Sequence, residues 1–230
     1  MNPPIVKKLA MSILATSFVL GGASAWSGEI YSTETAGYNQ GDWVASFNMS
    51  KVYVDETLGS LNVGGATVPN AAVSIGNDTT VTFDISYFIS NNVALDFFVG
   101  IPAKAKFQGE KSISALGRVS EVDYGPAILS LQYHFDNFER LYPYVGLGVG
   151  RVFFFDKTDG ALTSFDIKDK WAPAAQVGLR YDFGNSWMLN SDVRYIPFKT
   201  DVSGTLGAAP VSTKIEIDPF ILSLGASYKF

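Results

Sequence analysis

The chain closes on DPFILSLGASYKF, residues 218–230. Phe220, Leu222, Leu224, Ala226, Tyr228 and Phe230 fall on every second position, and the residues between them are mostly small or polar. A repeat of two puts alternate side chains on opposite faces of a β-strand, so this strand has one greasy face and one polar face. A soluble sandwich has little use for an exposed aromatic terminal strand. A transmembrane β-barrel does, because the greasy face meets lipid.

Working back from that strand, the same alternation recurs in segments of membrane-crossing length. They are Asp42–Tyr53, Thr79–Ile89, Val93–Phe107, Val122–Phe135, Leu141–Phe155, Trp171–Phe183 and Trp187–Thr200. With the last strand they make eight. Short turns at Ser90–Asn92, Asp136–Arg140 and Gly184–Ser186 alternate with long polar stretches at Val54–Asn77, Gln108–Glu121, Asp156–Lys170 and Asp201–Ser212. Short turns on one side and long loops on the other predict an all-β, eight-stranded antiparallel transmembrane barrel, with the turns in the periplasm and the loops outside. Tyr87, Tyr133, Phe135, Tyr142, Tyr181, Phe183, Trp187, Tyr228 and Phe230 lie near the turn ends, as an inner interfacial girdle requires. Trp43, Trp171 and Trp187 read as interface anchors.

Bulk properties agree. Residues 1–25 read as a signal peptide: Lys7 and Lys8, a short apolar run from Leu9 to Leu20, and Ala23-Ser24-Ala25 for cleavage. Residues 26–41 would be a periplasmic segment and residues 42–230 the barrel. Losing the two lysines takes the net charge from −5 to −7, which speaks against a nucleic-acid partner. There is no cysteine, so no disulfide framework exists. The acidic stretch Asp156–Asp169 lacks a calcium-loop pattern and reads as solvated loop, leaving no metal site and no cofactor.

GDWVASFNMSKVYV, IGNDTTVTFDISYF, PYVGLGVGRVFFFD and DIKDKWAPAAQVGLRY, with the closing strand, resemble the OmpW family of eight-stranded outer-membrane proteins, most closely its alkane-uptake member. The resemblance spans nearly all of the chain after the signal. It implies passive uptake of small hydrophobic molecules through an opening in the barrel wall.

The inward residues can be read for this directly. Low in the barrel they are polar, including Asp84, Asp96, Arg180, Asp192 and Arg194. Opposite charges at one depth suggest a paired network that plugs the bore, which is also an ordinary way to fill a small barrel. Higher up the inward face turns apolar. Phe98, Pro102, Ile128, Phe154, Ile196, Phe198 and Ile221 are the candidate pocket for a hydrophobic solute. An apolar pocket and a packed apolar core look alike in sequence, so both readings stand. Pro102, Pro126, Pro173, Pro197 and Pro219 recur about ten residues above the periplasmic ends. Proline donates no ladder hydrogen bond, so these residues either part neighbouring strands into a lateral opening or mark where regular strands end.

A barrel enzyme would need a nucleophile and a base. His134 is the only histidine, with Ser130 four residues earlier on the same face, and there is no G-x-S-x-G elbow. The chain therefore reads as a non-enzyme. A structural, adhesive or receptor barrel acting through its loops is the alternative to a conduit. Lys104, Lys106, Lys111 and Arg118 would suit the phosphates of lipopolysaccharide. Hydrophobic small molecules and outer-membrane lipid are the expected partners, and a monomer the expected state.

Overall fold

A computed structural model describes residues 37–230. Residues 1–25, read from the sequence as a signal peptide, and the first part of the expected periplasmic segment lie outside the described residues. The strands in chain order begin with β1 (Trp43–Leu58), β2 (Leu61–Val63), β3 (Ala66–Val68), β4 (Ala71–Ile75) and β5 (Asp78–Phe88). β6 (Val93–Gly100), β7 (Ala103–Lys111), β8 (Arg118–His134), β9 (Leu141–Asp159) and β10 (Thr163–Ile167) follow. β11 (Lys170–Gly184), β12 (Trp187–Tyr195), β13 (Phe198–Leu206) and β14 (Ala209–Lys229) complete the sheet.

The wall runs β1, β5, β6, β8, β9, β11, β12, β14, with every pair antiparallel. β14 then pairs with β1 from Val44↔Lys229 to Leu58↔Ile215, which closes the ring. β6 and β7 are one wall strand interrupted at Ile101-Pro102, and β12 and β13 are another interrupted at Ile196-Pro197. The ring thus has eight wall strands.

Outside, the wall is apolar over the height that lipid covers. Phe47, Met49, Phe83, Leu95, Phe97, Leu131, Leu147, Val177 and Leu224 are all exposed. Tyr181 stacks edge-on with Phe183, and Trp187 with Tyr228, near the periplasmic turns. At the other rim Arg151 lies over the rings of Phe153 and Trp171, the pattern of an interface where rings and cations meet headgroups. Tyr142 does not belong to the lower girdle. It is buried inside the barrel, because its parity on β9 is that of the inward residues.

The polar stretches read as loops are largely β-structure. β2, β3, β4, β7, β10 and β13 carry the sheet well beyond the apolar band, through pairings β4–β7, β10–β13, β13–β14 and β2–β14. In β13, Phe198, Thr200 and Val202 still face inward while Lys199 and Ser203 face out. The repeat of two persists, but its outer face is wet above the membrane and carries no greasy signal.

Inward glycines admit bulky neighbours. A Cβ at Gly178 on β11 would collide with the ring and hydroxyl of Tyr144. Gly178→Val is expected to lower barrel stability by about 1–3 kcal/mol, the usual cost of overpacking. The urea midpoint in lipid vesicles, read from the gel mobility of folded and unfolded forms, checks this; an unchanged midpoint would refute the close approach.

Candidate functional site

The interior has three layers. The lowest is aromatic: Tyr38, Phe88, Tyr142 and Met188 pack together, and the Tyr38 ring lies 4.0 Å from that of Phe88. Tyr38 comes from the segment before β1 and closes the periplasmic end of the bore. His134 sits here, its Nε2 2.9 Å from Gln132 Oε1 and its ring stacked on Tyr144. No hydrogen bond among the described residues links it to Ser130.

The middle layer is charged. Arg194 Nη2 on β12 lies 3.0 Å from Asp192 Oδ2 and 3.4 Å from Asp96 Oδ2, and it also pairs with Asp84 on β5. Its Nε donates to Gln176 Oε1 at 2.6 Å. Arg180 Nη2 donates to Ser86 Oγ at 2.9 Å, and Ser86 Oγ donates to Asp96 Oδ1 at 2.7 Å. Asn48 Nδ2 donates to Asp84 Oδ2 at 2.7 Å, and Asn190 Nδ2 to Asn48 Oδ1 at 3.0 Å. All five charged residues singled out in the sequence meet in this layer, and all are buried. Strands far apart in sequence supply them at one height because strict alternation sends their even-numbered residues inward. In a low-dielectric interior such charges persist only when paired or hydrogen-bonded; Arg194 pairs with three carboxylates, while Arg180 is held by Ser86 and lies over the Tyr144 ring.

The Arg194 guanidinium lies 4.0 Å from the Phe98 ring, where the polar layer ends. Phe98 and Ile128 are fully buried and face each other across the β6–β8 ladder. They cap the charges; Phe98 also lines the small wall cavity described below, and Ile128 lines none of the cavities above.

Three apolar cavities follow. The outermost, about 250 Å³, is walled by residues including Leu61, Val73, Leu162, Phe165 and Val211. Phe107 separates it from a central cavity of about 30 Å³ lined by Val54, Phe154, Ile196, Phe198, Pro219 and Ile221 among others. A third, about 10 Å³, lies in the wall between Thr80 and Thr82 on β5 and Gly100, Ile101 and Ala103. Val52, Tyr124, Pro126 and Ile221 line both the central and the wall cavity. An apolar cavity of roughly 150 Å³ accepts benzene. The outer one therefore has room for a small hydrocarbon, while the inner two need side chains to move.

Four of the seven predicted pocket residues, Phe154, Ile196, Phe198 and Ile221, line the central cavity. Pro102 does not; it is exposed on the outside. Up to Phe98 the even-numbered residues point in, and from Ala103 the odd-numbered ones do. This one-residue slip brings Ala105 and Phe107 into the bore, which sequence alternation alone misses. Leu61 and Val73 lie in a stretch whose composition reads as loop.

Among the prolines, Pro126 and Pro219 face cavities, and Pro102 and Pro197 interrupt wall strands. The ladder lapses in two places. Above Ala175↔Tyr195, β11 has no partner in β13, which pairs with β10 and β14 instead. No β11 residue lines any of these three cavities, and Ala172 and Ala174 are packed behind that seam. The β5–β6 ladder ends at Thr82↔Gly100, and the β6–β8 ladder stops at Val99↔Ala127 before resuming at Ala103↔Tyr124. Across this second lapse Ile101 N still donates to Val81 O at 2.9 Å, Thr80 Oγ1 donates to Ile101 O at 2.7 Å, and Lys104 N donates to Asp78 Oδ2 at 2.7 Å. The wall cavity lies here.

These features are those of an outer-membrane barrel whose lower bore is filled by buried polar side chains. The OmpW family model matches residues 39–230. The chain is 80% identical over 224 residues to outer membrane protein AlkL of Ectopseudomonas oleovorans, covering 97% of each. The solid-state NMR structure of AlkL in DMPC bilayers matches with a TM-score of 0.70 at 83% identity, over 88% of this chain and 96% of that one. The crystal structure of OprG from Pseudomonas aeruginosa shares the fold at a TM-score of 0.79 and 22% identity, over 84% and 98%. The protein is thus a bacterial outer-membrane β-barrel. It belongs to the OmpW family.

Two outcomes are expected from the site. Arg194→Met strands three buried carboxylates and should cost about 3–5 kcal/mol. Adding Asp84→Asn and Asp96→Asn should recover part of that loss, read from urea midpoints; equal stability of the single variant and the wild type would exclude a structural ion cluster. Glu56 follows Val54 at an inward position of β1, above the lipid-facing band, with Oε2 buried and unpartnered. Burial pushes its carboxyl up to about 7, with Asp55 and Glu110 adding to the shift and a backbone hydrogen bond at Ile75 opposing it. A raised carboxyl costs nothing while folded and unfolded forms are both protonated. As pH rises from the ordinary carboxylate range through about 7 the unfolded chain ionises first, and the fold loses stability. Glu56→Gln should therefore leave exchange at β4 amides unchanged at pH 4 and slow it at pH 8.5, by the equivalent of about 1–2 kcal/mol after discounting for partial exposure. Equal protection at both pH values would refute the burial effect.

Proposed function

We propose that this protein is a passive conduit for small hydrophobic molecules, n-alkanes and similar solutes, across the polysaccharide face of the outer membrane. The reading rests on one observation: apolar cavities succeed one another from the outer end to a lapse in the wall, above a floor of paired charges. A greasy solute gains by leaving water for the outer cavity. It cannot continue downward, because stripping the Arg194 cluster of its partners is too costly. It passes Phe107 as side chains move, reaches the central cavity, and leaves sideways into lipid between β5, β6 and β8. The gradient of the solute drives the process, so no cofactor, metal or energy source is required.

The nearness to an alkane-uptake member of the family supports the solute class. His134, held between Gln132 and aromatic rings, serves packing, and the protein is read as a non-enzyme and a monomer. The export reading goes with this function: residues 1–25 as a cleaved leader, 26–41 as a periplasmic segment. Lys106 and Lys111, exposed on β7, would meet lipopolysaccharide phosphates. Lys104 is instead engaged by Glu121 and Asp123, each 3.6 Å away.

Octane uptake by cells with intact outer membranes tests the reading against a plain eight-stranded barrel at matched abundance, with glycerol as a polar control. Wild type should raise octane uptake and leave glycerol uptake unchanged. Phe154→Asp, which puts a carboxylate in the central cavity, should reduce octane uptake at least about tenfold, given the cost of burying an unpaired charge. Pro102→Val, which restores a backbone donor at the wall lapse, should reduce it severalfold. Full activity of Phe154→Asp would refute the conduit. Full activity of Pro102→Val alone would refute the proposed exit.

A further inference from the structure

Tyr124 lies where the central cavity meets the wall cavity, and it lines both. Its hydroxyl is buried and has no hydrogen-bond partner among the described residues. The other side-chain donors at this elbow are already used. Thr82 Oγ1 shares a hydrogen bond with Ser50 Oγ at 2.7 Å, and Thr80 Oγ1 donates to Ile101 O. The Asp78 carboxylate accepts from the backbone of Thr79 at 2.8 Å and of Lys104 at 2.7 Å. Everything else named around the elbow is carbon: Val52, Pro126, Ile196 and Ile221.

A buried hydroxyl without a partner is unfavourable, and phenylalanine would fill the same space without that penalty. No acceptor among the described residues lies within hydrogen-bond distance of the hydroxyl, and the wall cavity beside it, about 10 Å³, is at the lower limit of what one water needs. A conduit for pure hydrocarbon has no use for this oxygen. A tyrosine hydroxyl with nothing to donate to is complemented by an acceptor carried on the solute itself.

We propose that Tyr124 is a specificity-determining residue that donates a hydrogen bond to the oxygen of a medium-chain carbonyl compound, a methyl ketone or aldehyde, as the solute turns from the bore toward the wall. The carbonyl oxygen sits at the elbow and the alkyl tail lies in the central cavity. The solute therefore reaches lipid with its oxygen leading. This rests on the conduit reading and deepens it: oxygenated solutes are preferred over alkanes of equal length.

The test uses the full protein in lipid bilayers and in cells, with 2-octanone and octane as probes and Tyr124→Phe as the variant. Infrared spectra of carbonyl-labelled 2-octanone should show a lower-frequency, hydrogen-bonded band with wild type that is absent with Tyr124→Phe. In cells, the ratio of 2-octanone to octane uptake should fall about three- to tenfold in the variant, the worth of one buried hydrogen bond. A band that persists in Tyr124→Phe, or an unchanged ratio, overturns the proposal while leaving the conduit standing. If wild type carries neither probe, the conduit reading fails, and the presence or absence of the band still decides whether Tyr124 binds a carbonyl.

Discussion

Hydrocarbon offers no partner to a free backbone N–H or C=O, and the rest of this structure follows from that. Only a sheet closed on itself satisfies every such group without a helix. Here closure is the long β1–β14 ladder, from Val44↔Lys229 up to Leu58↔Ile215. Once the ring is closed, each membrane-crossing residue faces either lipid or a narrow bore. Eight strands leave an interior that side chains fill. What fills it determines whether the barrel is a plug, a channel or a conduit.

The filling divides by chemistry along the axis. Low in the bore, charges come from β5, β6, β11 and β12, with asparagine and serine from β1, β5 and β12 between them. Neighbours in space are remote in sequence, so the cluster also ties the ring across its diameter. Phe98 over Arg194 is the boundary: one face of the ring serves a cation, and above it the lining is apolar. The same alternation that makes the floor makes the cavities. Only the residue types change with height.

Within the membrane this was legible, because lipid imposes a greasy outer face and the repeat of two then fixes which residues point in. The charged layer and four residues of the central cavity came directly from it. Above the membrane both faces can be polar, so β10 and β13 look like loop although their inward parity continues. Alternation also assumes an unbroken count. The slip between Gly100 and Ala103 moves Pro102 out and Phe107 in, and no residue pattern announces it beyond the proline itself. Tyr38 and Tyr124 were illegible for a different reason: one precedes the first strand and the other is a single hydroxyl whose lack of a partner exists only in three dimensions.

Prolines at one height do not by themselves make an opening. An exit needs a lapse in the ladder and space behind it, and the two lapses differ in the second respect. At β11 and β13 the backbone is unpaired, but Ala172 and Ala174 pack against the core, and above them Lys170 pairs with Asp201 at 3.0 Å. Prying that seam apart would expose packed apolar surface and release no volume. At β5, β6 and β8 the lapse is bridged by one backbone hydrogen bond, Ile101 N to Val81 O at 2.9 Å, and by a threonine hydroxyl and an aspartate carboxylate, which can exchange partners one at a time. Behind it lies the wall cavity, with Ile101 on its lipid side. The proposed exit at this point would join space that already exists to lipid and leave the β1–β14 closure untouched.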